Sequence, residues 1–345
     1  MTRIPDTLTS PCGPTWTLGE TPWRDTPTAG PPRSRVIVDN DFSGDPDDLY
    51  QLVHQVLAPS AEVRLVVASH LRADDPFDPS GRSAQNAELI VRDVFARMGL
   101  TSTEVIVAGS NTALPDATTP AASEAASRII AEAMRDDTDA PLFYLAGGGL
   151  TDLASAWLIE PRIAERLTLV WIGGAEHPGL AVPPPGAMPI EYNSLIDLTA
   201  VQVVFGDSEI PIWQVPRDAY RQCLVSDAEL RARVRSTGEL GRYLYDEVAF
   251  VWSMIAEFTG GAAQTYALGD SPLVLLSALV SPFEPDVSSS AFATVPTPAV
   301  ADDGSYLPRP DARPLRVLTR VDVRLMFEDF FWSLAEFDTW REAHA

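Results

Sequence analysis

The hydrophobic positions of this chain follow two alternating patterns. Short runs rich in Val, Ile and Leu, typical of buried strands, are separated by longer stretches in which apolar residues recur at spacings of three and four, as at Leu89, Val91, Val94 and Phe95. This alternation predicts a parallel sheet with crossover helices. The predicted strands are RVIVD (35–39), VRLVVAS (63–69), EVIVAG (104–109), PLFYLAG (141–147), LTLVWIG (167–173) and IPIWQV (210–215). The predicted helices between them cover residues 47–57, 83–99, 123–137, 151–166 and 197–206.

The pattern changes after the sixth strand. Residues 227–258 are typical of two consecutive helices, and a further helix is expected from Ser271. PLRVLTRVD (314–322) predicts another strand, and residues 324–337 predict an amphipathic helix. The fold class is therefore α/β, with an open, mostly parallel, doubly wound (Rossmann-like) sheet and a helical cap over the C-terminal strand ends.

Proline marks the expected boundaries. The 30 prolines cluster at residues 5–33, 183–189 and 282–314, which favours extended arms or loops there. We predict a Pro-rich N-terminal arm at residues 1–34 and a single α/β domain over residues 35–345, with the helical cap inserted at about residues 217–268.

Composition restricts the function. A net charge of -23 argues against nucleic-acid partners, which require basic patches, and the 25 cationic residues are all arginine. The missing lysine excludes phosphate-binding NTPases and phosphatases of the haloacid dehalogenase type, although DND at 39–41 superficially fits the latter.

No apolar run is long enough for a membrane span and the N-terminus lacks the features of a signal peptide, so we expect a cytoplasmic protein. The two cysteines, Cys12 and Cys223, are interpreted as reduced thiols.

The stretch VIVDNDFSGDPDD (36–48) concentrates five aspartates just after a predicted strand. Ligands of open parallel sheets bind outside the carboxyl ends of the strands, so these acids are expected at the mouth of a site. Their mutual repulsion favours a divalent cation, and hard carboxylate oxygens suit calcium or magnesium better than zinc. The alternative is structural: a solvated turn at Asp45 and Asp47, with Asp48 as a helix N-cap.

Four blocks, in order, resemble motifs of the nucleoside hydrolases of the inosine-uridine preferring type. DNDFSGDPDD (39–48) is similar to D-x-D-P-G-x-D-D, with a linker two residues longer. Residues 145–175 resemble a strand, a G-x-L-T-N-L-A helix and a strand ending in M-G-G-A, and IEYNSLIDLTAVQVVF (190–205) is similar to A-E-F-N-x-x-x-D-P-x-A-A. GDSPLVLLSAL (269–279) resembles the helix start H-D-P/A-L-A. The resemblance runs from about residue 35 to 325 and marks the chain as a divergent member.

The resemblance implies a set of site residues. Calcium would be held by the carboxylates of Asp41, Asp48 and Asp270 and by the backbone carbonyl of Thr151, and Asp41 would also act as general base on a water. Ribose hydroxyls would be bound by Asp47, Glu191, Asn193 and His70. The structural alternatives are that Glu191 and Asn193 form a capping pair and that Asp270 caps a helix.

The sequence departs from the family where the leaving group is expected. The family often has a histidine before the calcium aspartate of the fourth block, but this chain has Gly269. His70 and His177 both follow predicted strands and are the candidate proton donors. Pro185 falls where a family asparagine would face the ribose 5'-hydroxyl.

The resemblance predicts an enzyme, a calcium-dependent hydrolase that cleaves the N-glycosidic bond of a ribonucleoside or related ribofuranoside to free base and ribose. It also implies a small-molecule substrate and a homodimer or homotetramer. The net charge and the lack of a long apolar run predict neither nucleic acid nor membrane as a partner. The competing hypothesis is a metal-containing nucleoside- or sugar-binding protein with weakened catalysis, which Gly269 and Pro185 favour.

Overall fold

A computed structural model of the chain describes residues 4–5, 7–9, 13–24, 30–281, 283 and 289–345. Its centre is an eight-stranded sheet in the order β3-β2-β1-β4-β5-β6-β12-β9, in which every pairing is parallel except that of β9 with β12. The strands are β1 (Ser34–Asn40), β2 (Ala61–Ala68), β3 (Ile106–Ala108), β4 (Leu142–Ala146), β5 (Leu167–Ile172), β6 (Ile212–Val215), β7 (Leu224–Ser226), β8 (Thr265–Ala267), β9 (Ala291–Pro296), β10 (Ala299–Val300), β11 (Tyr306–Leu307) and β12 (Pro314–Arg320).

Helices cover both faces of the sheet, and each face has its own hydrophobic core. The helices are α1 (Asp47–Leu57), α2 (Ser83–Met98), α3 (Glu124–Ala133), α4 (Thr151–Ile159), α5 (Tyr192–Ile196), α6 (Leu198–Gln202), α7 (Arg217–Tyr220), α8 (Asp227–Arg233), α9 (Gly238–Thr259), α10 (Pro272–Ser277) and α11 (Val323–Ala343). Val36 and Val38 of β1 join the core shared with α1, α2, α10 and α11, whereas Ile37 joins the core shared with α3, α4 and α6. The side-chain period of two therefore buries β1 on both faces, as expected for a central parallel strand.

The predicted fold class is confirmed, and each predicted strand is present. The predicted helix at 151–166 is shorter, because α4 ends at Ile159 and a 3-10 turn, Pro161–Glu165, follows it. Proline has no N–H to continue an α-helix, which explains the interruption. The sequence patterns missed β9, which lies inside the proline-rich stretch 282–314 and forms the antiparallel edge of the sheet.

The region predicted as a helical cap, about residues 217–268, contains α7, α8 and α9. It also contains an antiparallel pair, β7 with β8, that the sequence did not predict. Ser226 and Glu229 form a reciprocal capping box at the start of α8. The β7–β8 pair joins the beginning and the end of this region, so the residue that follows it, Leu268, is held close to Cys223 by a 2.9 Å backbone hydrogen bond.

The described part of the N-terminal arm is packed rather than free. Trp16 and Trp23 are buried and form edge-to-face contacts with each other and with Phe337 of α11. The indole N–H of Trp16 donates to the carbonyl oxygen of Met98 at 2.8 Å. The arm therefore contributes large apolar surfaces to the core beside α2 and α11.

Two further expectations concern the cysteines and membrane spans. Cys223 is a buried free thiol, and burial raises its pKa; Cys12 lies outside the described residues. In the part of the chain that the structure describes, no helix has both the length and the apolar character needed to cross a membrane.

Candidate functional site

A cavity of about 250 Å³ opens at the carboxyl ends of the central strands. Ligand sites of open α/β sheets are expected at this edge, where the loops leaving the strands converge. The cavity is lined by Asp41, Asp45, Asp47, Asp48, Phe77, Gly147, Ile172, Glu191, Tyr192, Asn193, Tyr220, Gly269 and Asp270. The structure therefore brings together, on one surface, acids that are more than 200 positions apart in the sequence.

The acidic loop between β1 and α1 supplies most of the negative charge. Helix α1 begins at Asp47, and its N-cap is Pro46, without a side-chain capping bond. Asp47 and Asp48 therefore lie in the first turn, where the helix dipole favours carboxylates, but neither is the N-cap. The capping alternative for Asp48 is wrong, and its carboxylate is free for another role. Its Oδ2 atom is buried and has no hydrogen-bond partner within the described residues.

Two glycines after β4 let the backbone approach this cluster closely. A Cβ atom on Gly147 would lie 2.0 Å from Oδ2 of Asp270 and 2.7 Å from Oδ1 of Asn40, and one on Gly148 would lie 2.8 Å from Oδ1 of Asp41. Real Cβ contacts are never this short, so any side chain here would displace the acids. The glycines of LAGGGL have no Cβ, and this allows the backbone to pack directly against the carboxylates.

Asp270 is held by a side chain of β1. Asn40 donates from Nδ2 to Oδ2 of Asp270 at 3.2 Å and to Oε1 of Gln51 at 3.3 Å, while its Oδ1 accepts from the backbone N–H of Gly147 at 3.0 Å. Helix α10 has Ser271 as its N-cap residue, without a side-chain capping bond. Asp270 thus faces the acid cluster and is not the helix cap that the structural alternative proposed.

The carboxylates of Asp47, Asp48 and Asp270 form a group that could hold a metal ion, with one oxygen from each lying within 4.8 Å of the others. Burial, followed by repulsion from neighbouring acids, raises the pKa of Asp41, Asp47 and Asp48 well above the usual carboxylate value, and burial raises the pKa of Asp270 to about 7. Such a cluster retains protons near neutral pH unless a cation neutralises it. The donor set is all oxygen, which fits calcium or magnesium.

The metal-ligand predictions are only partly reflected in this group. Asp48 and Asp270 belong to it, Asp47 joins it although it was predicted to bind substrate, and Asp41 lines the same cavity. Thr151 is the first residue of α4 and is buried. Its hydroxyl donates to Oδ2 of Asp197 at 2.7 Å, and the role of its backbone carbonyl as a ligand stays a prediction.

Glu191 and Asn193 line the same cavity from the start of α5. Glu191 is the N-cap of α5, with Oε2 accepting from the backbone N–H groups of Ser194 at 3.1 Å and Gly174 at 2.7 Å. Asn193 donates from Nδ2 to the carbonyl oxygens of Gly147 at 2.6 Å and Ile172 at 2.7 Å. Both side chains therefore have a structural role and also line the cavity, where the Oδ1 atom of Asn193 is an acceptor suited to a hydroxyl.

The two candidate histidines are placed differently from these acids. Neither belongs to the residues that line the cavity. His70 is buried, with Nδ1 2.8 Å from the carbonyl oxygen of Leu71 and Nε2 2.9 Å from Oγ1 of Thr151, and it lines a separate cavity of about 510 Å³. His177 has Nε2 2.8 Å from Oε1 of Gln214 and stacks on Tyr306, and burial lowers its pKa. Their roles as substrate contact or proton donor stay predictions.

Tyr220 and Tyr192 line the cavity and were missed by the sequence reasoning. Tyr220 donates its hydroxyl to Oε1 of Glu191 at 3.0 Å, and its Cδ2 atom lies 3.5 Å from where a Cβ on Gly269 would be. Tyr192 donates to Oδ2 of Asp75 at 2.7 Å. Tyr220 closely follows β6, so the rule that strand ends carry sites was the signal that could have found it.

The chain matches the model of the family described as inosine-uridine preferring nucleoside hydrolase over residues 36–327. Inosine-uridine preferring nucleoside hydrolases of Leishmania major and Crithidia fasciculata are similar in shorter segments. The first is 38% identical over 95 residues, which cover 26% of this chain and 27% of that protein. The second is 41% identical over 69 residues, which cover 20% and 19%. These alignments thus span about a quarter or less of the curated relatives.

Solved structures agree at the level of the fold. A plant nucleoside hydrolase superposes with a TM-score of 0.65 at 18% identity, and an inosine-uridine preferring nucleoside hydrolase of Bacillus anthracis with 0.60 at 20%. A purine-preferring ribonucleoside hydrolase of Gardnerella vaginalis gives 0.65 at 17%. Each comparison covers 88% of this chain and 99% of the other. Because the family model spans most of the chain and the fold agrees, this protein belongs to the inosine-uridine preferring nucleoside hydrolase family.

Proposed function

We propose that this chain is a calcium-dependent hydrolase that cleaves the N-glycosidic bond of a ribonucleoside or related ribofuranoside to free base and ribose. The observation that carries the proposal is the cavity at the strand ends, whose lining includes Asp41, Asp47, Asp48 and Asp270 together with Glu191 and Asn193. Cleavage of a ribosyl bond develops positive charge on the sugar in the transition state. Carboxylates around the sugar therefore stabilise the transition state more than the neutral substrate.

The residues fit a divalent cation. Asp48 and Asp270, with Asp47 or Asp41 beside them, would hold it through carboxylate oxygens, and the carbonyl of Thr151 is the proposed additional ligand. The orphaned, buried Oδ2 atom of Asp48 supports this assignment, since a buried charged oxygen without a partner is costly. A bound calcium ion would neutralise these acids and lower the pKa of a water molecule attached to it.

Asp41 is the proposed general base. It is 6% exposed, it lines the cavity, and its carboxylate lies next to the backbone of Gly148. A base must reach the attacking water within hydrogen-bond distance, and a carboxylate at the end of β1 faces the same space as the acids of α1. Proton transfer to Asp41 leaves the water oxygen free to attack the anomeric carbon.

The other carboxylates orient the sugar. Glu191 and Asn193 are fixed by backbone groups of β4, β5 and the loops that follow, so the Oδ1 atom of Asn193 and the Oε1 atom of Glu191, which also accepts from Tyr220, keep their positions before substrate binds. A ribose diol presents two hydroxyl donors, which match carboxylate and carboxamide oxygens. This preorganisation reduces the entropic cost of holding the sugar in a reactive orientation.

The test is turnover of ribosides assayed as released ribose, with the wild-type protein and Asp41→Asn. The wild type should release nitrophenol from p-nitrophenyl β-D-ribofuranoside in the presence of calcium. Asp41→Asn should lose about 10²- to 10⁴-fold in kcat, because a general base contributes that much, while still binding ribose. If the wild type binds ribose in calorimetry but releases no nitrophenol, the protein is instead the catalytically weakened binding protein.

The quaternary structure is a separate part of the proposal. The family resemblance favours a homodimer or homotetramer. Light scattering coupled to size-exclusion chromatography distinguishes these from a monomer of 37.4 kDa. A monomer at all concentrations would contradict the oligomer without affecting the proposed reaction.

A further inference from the structure

The lining of the active-site cavity is unusual in its charge. Six of the described lining residues carry carboxylates: Asp41, Asp45, Asp47, Asp48, Glu191 and Asp270. No arginine or histidine is found among the described residues that line it. One divalent cation carries two positive charges, so it would neutralise only part of this set. The described lining offers no cationic side chain to balance the carboxylates that remain ionised, so the space left for a substrate has a negative electrostatic potential.

Asp45 adds to this potential and belongs to the loop that is two residues longer than the family motif. The hydroxyl of Tyr266 on β8 donates to its Oδ1 atom, which ties the loop to the β7–β8 pair. Gly44 precedes Asp45, and a Cβ there would lie 2.7 Å from Cδ2 of Leu71. The longer loop is thus packed in one position and places an additional acid at the rim of the cavity.

The same cavity offers little to protonate a leaving group. Its phenol groups, Tyr192 and Tyr220, already donate to Asp75 and Glu191. Burial and these neighbouring carboxylates raise the pKa of both phenols. Gly269 has no side chain to donate a proton. A base that must leave as an anion would therefore depart slowly from this site.

The lining also includes three aromatic side chains: Phe77, Tyr192 and Tyr220. Aromatic faces attract flat organic cations through the quadrupole of the ring, and this attraction increases when water is excluded. Carboxylates combined with aromatic rings form the kind of environment that binds a positively charged heteroaromatic ring. The lining therefore favours a cationic aromatic group beside the sugar.

We infer that the substrate is a riboside of a quaternised, positively charged heteroaromatic base, such as a ribosylated pyridinium or an N7-alkylated purine. This inference rests on the proposed function. When the bond between C1' and the ring nitrogen breaks, its electron pair neutralises the ring, so the base leaves as a neutral molecule without a proton. The oxygen of water forms the new bond to C1', and its proton passes to a carboxylate and then to solvent. The sum is cationic riboside and water giving neutral base, ribose and one proton.

The experiment compares two pairs of ribosides at saturating calcium, with released ribose as the readout: nicotinamide riboside against uridine, and 7-methylguanosine against guanosine. In each pair the first compound has a quaternised, positively charged ring nitrogen, and the two pairs differ in ring size. We expect kcat/KM to be at least about 100-fold higher for a cationic riboside than for its neutral counterpart, because general-acid assistance of the neutral base is worth about that factor. p-Nitrophenyl riboside, which is neutral but needs no protonation, should also be cleaved.

The outcomes separate the inference from the proposed function. Equal rates for cationic and neutral ribosides, with p-nitrophenyl riboside cleaved, would overturn the substrate class and leave the hydrolase intact. If none of the compounds, including p-nitrophenyl riboside, releases ribose, both the hydrolase and the substrate class are overturned.

A charge variant tests the electrostatic part. Asp45→Asn removes one carboxylate at the rim and should lower kcat/KM for nicotinamide riboside at least about 5-fold more than kcat/KM for p-nitrophenyl riboside. Asp74→Asn is the matched control, because Asp74 is exposed, lies outside the cavity lining and has a positive φ that asparagine tolerates. Equal losses on both compounds, or from both variants, would contradict a role for Asp45 in selecting cationic substrates.

Discussion

The two sides of the cavity differ in how they are built. On the sugar side, Glu191, Asn193 and Asp270 are each fixed by hydrogen bonds from the backbone or from another buried side chain. On the side near Gly269, the nearest side chains are the carboxylate of Asp47 and the ring of Tyr220, whose hydroxyl donates to Glu191. The first side supplies polar groups in fixed positions, and the second supplies an aromatic surface, one carboxylate and no side chain at position 269.

This difference shows which part of the reaction the protein controls. Charge that develops on a sugar needs carboxylates in fixed positions, and the sugar side provides them through many buried contacts. A leaving group needs either a proton donor or no proton at all. The side near Gly269 has no histidine and no uncommitted phenol within the described lining, so the chemistry of the substrate has to supply what these groups would provide.

Removal of divalent cations should have the largest effect, since it leaves the carboxylates of Asp47, Asp48 and Asp270 without a counter-ion. In excess chelator we expect activity on p-nitrophenyl riboside to fall at least about 10³-fold, since several carboxylates would then repel one another or hold protons. Calcium at about 100 times its Kd should stabilise the fold by about 2.7 kcal/mol, seen as a higher melting temperature. An unchanged melting curve and unchanged turnover in chelator would contradict the metal site.

Gly269→His should have the next largest effect, because it adds an imidazole proton donor on the side of the cavity near position 269. A Cβ at this position would lie 3.1 Å from Oδ2 of Asp47 and 3.5 Å from Cδ2 of Tyr220, so it fits with shifts of a few tenths of an ångström. We expect the kcat for inosine to rise about 10- to 100-fold relative to p-nitrophenyl riboside, within the range of general-acid catalysis. Gly269→Ala is the matched control for crowding, and an equal change in both variants would refute the explanation.

The pH dependence of stability should reveal the acid cluster directly. The pKa of Asp270 is about 7 in the folded state against 3.8 for the ordinary side chain. Without metal, the contribution of protonated Asp270 to the free energy of unfolding is therefore complete below about pH 4 and is lost as the pH rises through about 7. The difference in melting temperature between calcium-saturated and chelated protein should therefore increase between about pH 5 and about pH 8. A difference that is constant with pH would show that these carboxylates are not ionised on metal binding.

Tyr220→Phe should have the smallest effect, and it tests whether the side near Gly269 hides a proton donor. If Tyr220 only supports Glu191, the ratio of kcat on inosine to kcat on p-nitrophenyl riboside should stay within about 3-fold of the wild-type ratio. KM should rise for both compounds because the hydrogen bond to Glu191 is lost. A fall of about 10-fold or more in kcat on inosine alone would identify Tyr220 as the leaving-group acid. It would contradict the statement that the side near Gly269 has no uncommitted phenol.

The sequence by itself determined the parallel strands of the central sheet, the helices between them and the place of the acidic loop. Hydrophobic period and charge density are properties of neighbouring residues, so the parallel sheet and the acids after β1 were readable without coordinates. The edge strand β9 was not, because its proline-rich surroundings conceal a strand that forms only by pairing with β12. Strand pairing depends on tertiary context more than on local propensity.

Only the tertiary structure decided which of these residues meet. It placed Asp270 beside Asp48, turned the nitrogens of His70 towards Thr151 and Leu71, and brought Tyr220 into the space next to Gly269. Side-chain direction at a strand end depends on packing against elements far away in the chain, and hydrogen-bond partners of buried groups are chosen there as well. Sequence spacing carries no information about that choice, which is why the acids were predictable and their partners were not.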